Sequence, residues 1–184
     1  MADAGRVIAG SAKGIRLAAP GEGTRPLTDR VKQTLFAILE PELEGAAVLD
    51  LFAGSGAGAI EALSRGAASA VLVDQDTRPA LGNVQRLGLA DRTELVRGDV
   101  ERWLSKVSAV DAAGKFGLVF VDAPYRLADR VNESLDTHLP RLLTAGGRAV
   151  VESGARRPLR IESLEPLRQR RYGAADVTIY GERA

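Results

Sequence analysis

Short apolar runs rich in Val and Leu recur along the middle of the chain, each ending beside a glycine or an acidic residue. They are AAVLDLF (46–52), SAVLVD (69–74), TELVRGD (93–99), FGLVFVD (116–122) and GRAVVES (147–153). Helix-compatible stretches at 57–65, 77–87, 100–107 and 128–143 lie between them. Strands alternating with helices predict a parallel sheet covered on both faces. The tail breaks the pattern. LRQRRYG and ADVTIYG follow one another without a helix, which predicts two antiparallel strands finishing a mostly parallel, seven-stranded sheet. The front breaks it too. RVIAG and GIRLAAP, around Ser11–Lys13, read as a β-hairpin, and TDRVKQTLFAIL reads as a helix that Thr28 can cap. The expected organisation is a small hairpin extension over 1–27 and an α/β domain over 28–184.

Length and composition narrow the chemistry. A chain of 184 residues suits one domain with a substantial core. It has no cysteine, which removes disulfides, zinc-thiolate sites, iron–sulfur clusters and thiolate nucleophiles. Its one histidine, His138, has no partner histidine, so neither a His-based metal site nor a Ser-His-Asp triad is expected. No stretch resembles a signal peptide or reaches membrane-spanning length, so the expected setting is the cytoplasm, away from any membrane. Trp103 and Phe36 are expected in the core and His138 at the surface.

The net charge of +1 conceals an uneven distribution. Residues 1–34 carry six basic and three acidic groups, and residues 153–184 carry seven and four; the middle carries twelve and seventeen. Two basic ends around an acidic centre suit solvated segments equally well as contacts to a polyanion.

In open α/β sheets, ligands bind beyond the carboxyl ends of the strands. Those ends carry Asp50, Asp74, Asp99 and Asp122. Each alone reads as a cap or turn residue; together they suit a ligand rich in hydroxyl and amino donors. The first end opens DLFAGSGAGAIEA, where glycines at 54, 56 and 58 permit a tight turn into a helix. The same spacing, with Asp74 some distance on, also matches a nicotinamide-dinucleotide fingerprint. Asp50, just before the loop, would oppose a pyrophosphate, and favours a cofactor with a cationic, amino-bearing end and no phosphate: S-adenosylmethionine.

With DLFAGSG, then VDQD, RGD and DAPY, the chain resembles class I methyltransferases of the amino-methylating branch, which have a Rossmann-like fold. The front stretch, RVIAGSAKGIRLAAPGEGTRPLTDRVKQTLFAIL, is similar to the start of the RsmD-type family. Those enzymes methylate N2 of one guanine in 16S ribosomal RNA, of the guanine-966 type. The resemblance implies that Asp50, Gly54, Ser55 and Gly56 face the methionine part of the cofactor. It implies that Asp74 accepts from the ribose hydroxyls, and that Asp99, with Val100 beside it, meets the adenine. It further implies RNA contact by Arg6, Lys13, Arg16 and Arg25 of the extension. The partner would be 16S RNA, within the 30S subunit or an assembly intermediate, and the enzyme a monomer. Position 123 is Ala where the family has a second proline.

The chemistry of Asp122, Ala123, Pro124 and Tyr125 agrees with that assignment. An exocyclic guanine amine is a poor nucleophile and must be held in line with the methyl group, its hydrogens engaged by acceptors. Asp122 offers one acceptor and the Ala123 carbonyl a second, aimed by the restriction that Pro124 places on residue 123. Tyr125 offers a flat face on which a base can stack. Direct transfer needs no covalent enzyme intermediate, in keeping with the lack of cysteine. Other readings are a DNA adenine-N6 or cytosine-N4 methyltransferase, a nicotinamide-dependent oxidoreductase, and a non-catalytic RNA-binding assembly factor.

Overall fold

The computed structural model describes residues 3–19, 29–107 and 114–183. A two-stranded antiparallel hairpin, β1 (Asp3–Arg6) with β2 (Arg16–Ala18), precedes helix α1 (Asp29–Leu39). Then come β3 (Ala47–Leu51), α2 (Ala57–Ser64), β4 (Ser69–Asp74), α3 (Arg78–Arg86), β5 (Thr93–Arg97) and α4 (Val100–Val107). The chain ends in β6 (Phe116–Asp122), α5 (Ala128–Leu142), β7 (Leu143–Gly154), β8 (Glu165–Tyr172) and β9 (Ala175–Gly181). Thr28 and Arg25, and the expected boundary at 27/28, lie outside the described residues. No helix among the described residues is long and apolar enough to cross a membrane.

The sheet order is β5-β4-β3-β6-β7-β9-β8, with β9 antiparallel to both its neighbours and the other pairs parallel. This is the mostly parallel α/β sheet with an antiparallel C-terminal hairpin that the alternation of strands and helices predicts. Strand order reverses between β3 and β6, and a crevice opens there because their following helices depart to opposite faces. Side chains of a strand alternate between faces. Val48, Leu72, Leu118, Phe120 and Val150 accordingly join one core with α1, α2 and the N-terminal segment. Leu49, Leu51, Val73, Val119, Val121 and Val151 join a second core with α4 and α5. Phe36 is buried in the first core and Trp103 packs half-buried on the second.

Two local features differ from expectation. The hairpin strands are shorter and β1 lies earlier than RVIAG, because residues 8–12 bond to α2 instead of pairing with β2. Ile8 and Ala9 donate their N–H groups to the buried Glu61 carboxylate at 2.7 and 3.1 Å, which Arg65 also meets at 2.7 Å. Ala12 N–H donates to Ser64 Oγ at 2.9 Å, and Ser11 N–H to the Ser64 carbonyl at 2.8 Å. Gly10 makes that approach possible: at φ 82° it tolerates a left-handed turn, and a Cβ there would sit 1.7 Å from the Ser64 oxygen. β7 is also longer than GRAVVES, starting at Leu143, where the backbone turns extended and pairs with Phe116. Pro140 remains inside α5, although it cannot donate to the carbonyl of residue 136. Ser163 Oγ supplies that missing bond, donating to the Asp136 carbonyl at 2.6 Å.

Candidate active site at the strand-order switch

A cavity of about 670 Å³ opens at the carboxyl ends of β3 and β6, where strand order reverses. Five carboxylates line it, Asp50, Asp74, Asp76, Asp122 and Glu152, against two cations, Lys32 and Arg126. The parity of the strands explains the convergence. Asp50, Asp122 and Glu152 share the face of Val48, Phe120 and Val150, so the side chains that roof the first core end in acids at its rim.

The glycine turn begins with a strained residue. Phe52 has φ 62°, unusual for a bulky side chain, and its N–H donates to the Val73 carbonyl at 3.0 Å. Gly54 N–H donates to Asp74 Oδ2 at 2.9 Å, and Asp76 N–H to Asp74 Oδ1 at 2.8 Å. Gly56 precedes α2 at its amino end with φ 76°. Asn83, buried on α3, donates to the carbonyls of Ser55 at 2.9 Å and Ala18 at 3.0 Å, and accepts from Ala18 N–H at 2.9 Å. One amide thus fastens the turn to β2.

Asp50 is 4% exposed and accepts the Ala59 N–H at 3.0 Å. A Cβ at Gly58 would lie 3.3 Å from its Oδ2, so glycine there leaves the carboxylate its room. Burial raises its pKa to about 8, against the opposing effect of the Ala59 bond and with the charges of Asp122 and Asp74 adding to the rise. Asp122 faces the open cavity yet has protein around it, and that partial desolvation holds its carboxyl above the usual range. Its register partner on the adjacent strand, Glu152, is raised by burial and then by the Asp122 charge.

The rim follows β6 directly. Ala123 is 2% exposed, Pro124 sits at φ −53°, ψ 131°, and Leu127 N–H donates to the Pro124 carbonyl at 2.8 Å. This turn presents Tyr125, 54% exposed, with one side of its ring over Gly154: a Cβ on that glycine would be 3.4 Å from the ring. The opposite side has no such cover from Gly154.

Of the residues singled out in the sequence, Asp50, Gly54, Ser55, Asp74, Val100, Asp122, Ala123, Pro124 and Tyr125 line the cavity. Gly56 and Asp99 do not: Gly56 sits in the turn against Leu72 and Ile60, and Asp99 caps α4, accepting the Arg102 N–H at 3.1 Å, and faces Arg130 at 3.7 Å. Of the extension residues, Arg6 pairs with Asp29 at 2.7 Å, while the Arg16 carbonyl accepts from Arg86. Lys13 is exposed, and none of the three lines the cavity. Four charged lining residues, Asp76, Arg126, Glu152 and Lys32, had no role in the sequence reading. Glu152 was visible there as the acid ending the fifth run, at the parity of Val150. Lys32, 5% exposed and donating to the Arg6 carbonyl at 2.5 Å, carried no signal beyond one turn of an amphipathic helix.

Comparison with known proteins places this cavity in a family. Residues 5–181 match the family described as Conserved hypothetical protein 95. YlbH of Bacillus subtilis (strain 168), provisionally named an rRNA methyltransferase, is 36% identical over 97% of this chain and 99% of its own. Ribosomal RNA small subunit methyltransferase D of Escherichia coli (strain K12) is 38% identical over 66% of this chain, a span that covers 60% of that protein. Among solved structures, the Escherichia coli protein yhhF, provisionally titled a methyltransferase, has a TM-score of 0.79 at 31% identity, covering 97% of this chain and 98% of that one. An RNA methyltransferase of Salinibacter ruber, in complex with S-adenosyl-L-homocysteine, shares the fold at a TM-score of 0.61 and 17% identity, covering 85% of this chain and 93% of that one. The chain belongs to the Conserved hypothetical protein 95 family, the family of the RsmD-type methyltransferases.

Proposed function

We propose that this protein methylates ribosomal RNA using S-adenosylmethionine, and that its target is N2 of a guanine in 16S RNA, of the guanine-966 type. One observation carries the reading: a glycine turn, an acid-rich wall and the Asp122–Tyr125 rim share a single cavity at the strand-order switch. The donor set suits the cofactor. Five carboxylates against two cations favour a sulfonium and an amino group and disfavour the pyrophosphate of a nicotinamide dinucleotide. Bound there, S-adenosylmethionine would supply an electrophilic methyl group.

Asp50 and the turn at Gly54, Ser55 and Gly56 would hold the methionine end, Asp74 the ribose hydroxyls, and Val100 the adenine. Asp99 would act through the cap that places Val100, since both its oxygens already face Arg102 and Arg130. Asp122 and the Ala123 carbonyl would accept the two hydrogens of the target amine, fixing the nitrogen lone pair in line with the methyl group. Tyr125 would stack on the base. Methylation leaves the nitrogen with one proton too many. Asp122, open to the cavity, would take that proton and pass it to solvent.

The test is transfer of labelled methyl groups to naked 16S RNA and to small subunits, both from cells lacking the protein. Label is expected in N2-methylguanosine. Asp122→Ala should bind S-adenosylmethionine normally and lose on the order of 10²–10³ in kcat, the scale of one oriented polar group at a reacting centre. Asp122→Asn, which keeps an acceptor oxygen, should fall between. Label in another nucleoside, or full activity of Asp122→Ala, would overturn the reading.

A further inference from the structure

Most acids near the cavity are already engaged. Asp74 receives two backbone N–H groups, Asp50 receives one, Asp76 pairs with Arg78 at 2.7 Å, and Asp99 lies between Arg102 and Arg130. Asp122 and Glu152 differ: among the described residues, neither carboxylate accepts a hydrogen bond or pairs with a cation. They are direct register partners on the parallel strands β6 and β7, side by side at about the 4.8 Å spacing of neighbouring strands. Parity sends both to the same face, and Tyr125 stands over Gly154, two residues past Glu152. A base stacked on that phenol would turn one edge toward two adjacent acceptors.

The bases differ sharply on this edge. Guanine presents two neighbouring donors, N1–H and the N2 amine. Adenine and cytosine place an acceptor nitrogen beside their exocyclic amine, and its lone pair would face a carboxylate. An unpaired, partly buried acceptor discriminates strongly, because a ligand without the matching donor leaves it desolvated and unbonded. We infer that Glu152 is the residue that selects guanine, accepting N1–H while Asp122 accepts from the N2 amine. This inference rests on the RNA-methylation reading and deepens it. Paired in register, Asp122 and Glu152 offer two adjacent acceptors to one edge of the base.

The charge of the pair fits this role. Burial, and for Glu152 the neighbouring Asp122 charge, holds both carboxyls above the ordinary range; Asp50, Asp74, Lys32 and Arg126 are the other charged groups near them in the cavity wall. Two donors arriving together relieve that repulsion, and one donor beside a lone pair does not.

The experiment uses 16S RNA ligated to carry either guanosine or 2-aminopurine riboside at the target position. Both have the C2 amine, and only guanosine has a hydrogen on N1. Wild type should prefer guanosine in kcat/KM by on the order of 10²-fold or more. Glu152→Gln should lose activity on guanosine and shrink that preference at least tenfold, because its amide can donate to the bare N1. Glu152→Asp keeps the charge and should retain the preference at lower rate. S-adenosylmethionine affinity, measured calorimetrically, should be unchanged in both variants and reports that they are folded. A preference unaltered in Glu152→Gln, with wild type active on guanosine, overturns this inference alone. Wild type inactive on guanosine RNA overturns the methylation reading beneath it.

Discussion

Asp50 shows what a single buried carboxylate costs and why the chain keeps it. Its folded pKa of about 8 stands well above the ordinary 3.8. Below about pH 4 the group is neutral in both folded and unfolded chains and carries no penalty. As pH rises toward 8 the unfolded chain ionises freely while the fold resists, so stability falls across that window. Asp50→Asn keeps an oxygen for the Ala59 N–H and removes the ionisation. It should raise stability by roughly 1–3 kcal/mol at pH 8 and by little at pH 4, while weakening S-adenosylmethionine binding. Thermal unfolding of the ligand-free proteins at both pH values measures this. An equal difference at pH 4 and pH 8 would show that Asp50 ionises without penalty. A cationic ligand in the cavity would repair this penalty on binding.

Among the secondary-structure elements, the N-terminal hairpin is joined to the glycine turn. Asn83 bonds to both backbone groups of Ala18 on β2 and to the Ser55 carbonyl in the glycine turn. Glu61 and Ser64 on α2 hold residues 8–12 in the same way. Asn83→Ala would leave these partners unsatisfied in a buried place. We expect a loss of about 1–3 kcal/mol in urea unfolding, with faster amide exchange at Ala18 and a raised KM for the cofactor. Unchanged cofactor affinity in a destabilised variant would mean that the turn holds its shape without β2. The hairpin was legible in the sequence as two short apolar runs around Ser11–Lys13. Its docking was not, because Glu61, Ser64 and Asn83 are polar residues on helices, where an exposed position is the ordinary expectation.

Over the whole molecule, charge separates into basic ends and an acidic middle, and the fold turns that into a surface. The β7–β9 register places the turn after Tyr172 beside Gly154, at the same rim as Tyr125. Arg170 is therefore near the cavity mouth, on an edge strand whose side chains are almost all exposed. Lys13 is exposed on the other basic end. Lys13→Ala and Arg170→Ala should each lower the log–log salt slope of RNA binding by roughly 0.7–0.9 if that residue contacts a phosphate, leaving cofactor affinity intact. A slope unchanged in either variant removes that residue from the RNA surface. Deleting the hairpin would be a poorer test, because Val7, Ala12 and Leu17 belong to the first core.

The sequence by itself determined the alternation of strands and helices, the antiparallel ending, and the DLFAGSG and DAPY segments. All of these are local: short apolar runs rich in Val and Leu, glycine-permitted turns and a proline-restricted strand end act within a few residues of themselves. The tertiary structure decided which strand-end acids meet. Four looked equivalent along the chain, yet Asp99 follows the edge strand β5 and is used as a helix cap, while Asp50 and Asp122 flank the switch between β3 and β6. Glu152 joined them only through the pairing of β7 with β6, and Lys32 only through the packing of α1. Strand order and crossover direction follow from how the helices cover the two faces, a property of the assembled sheet that no local segment encodes.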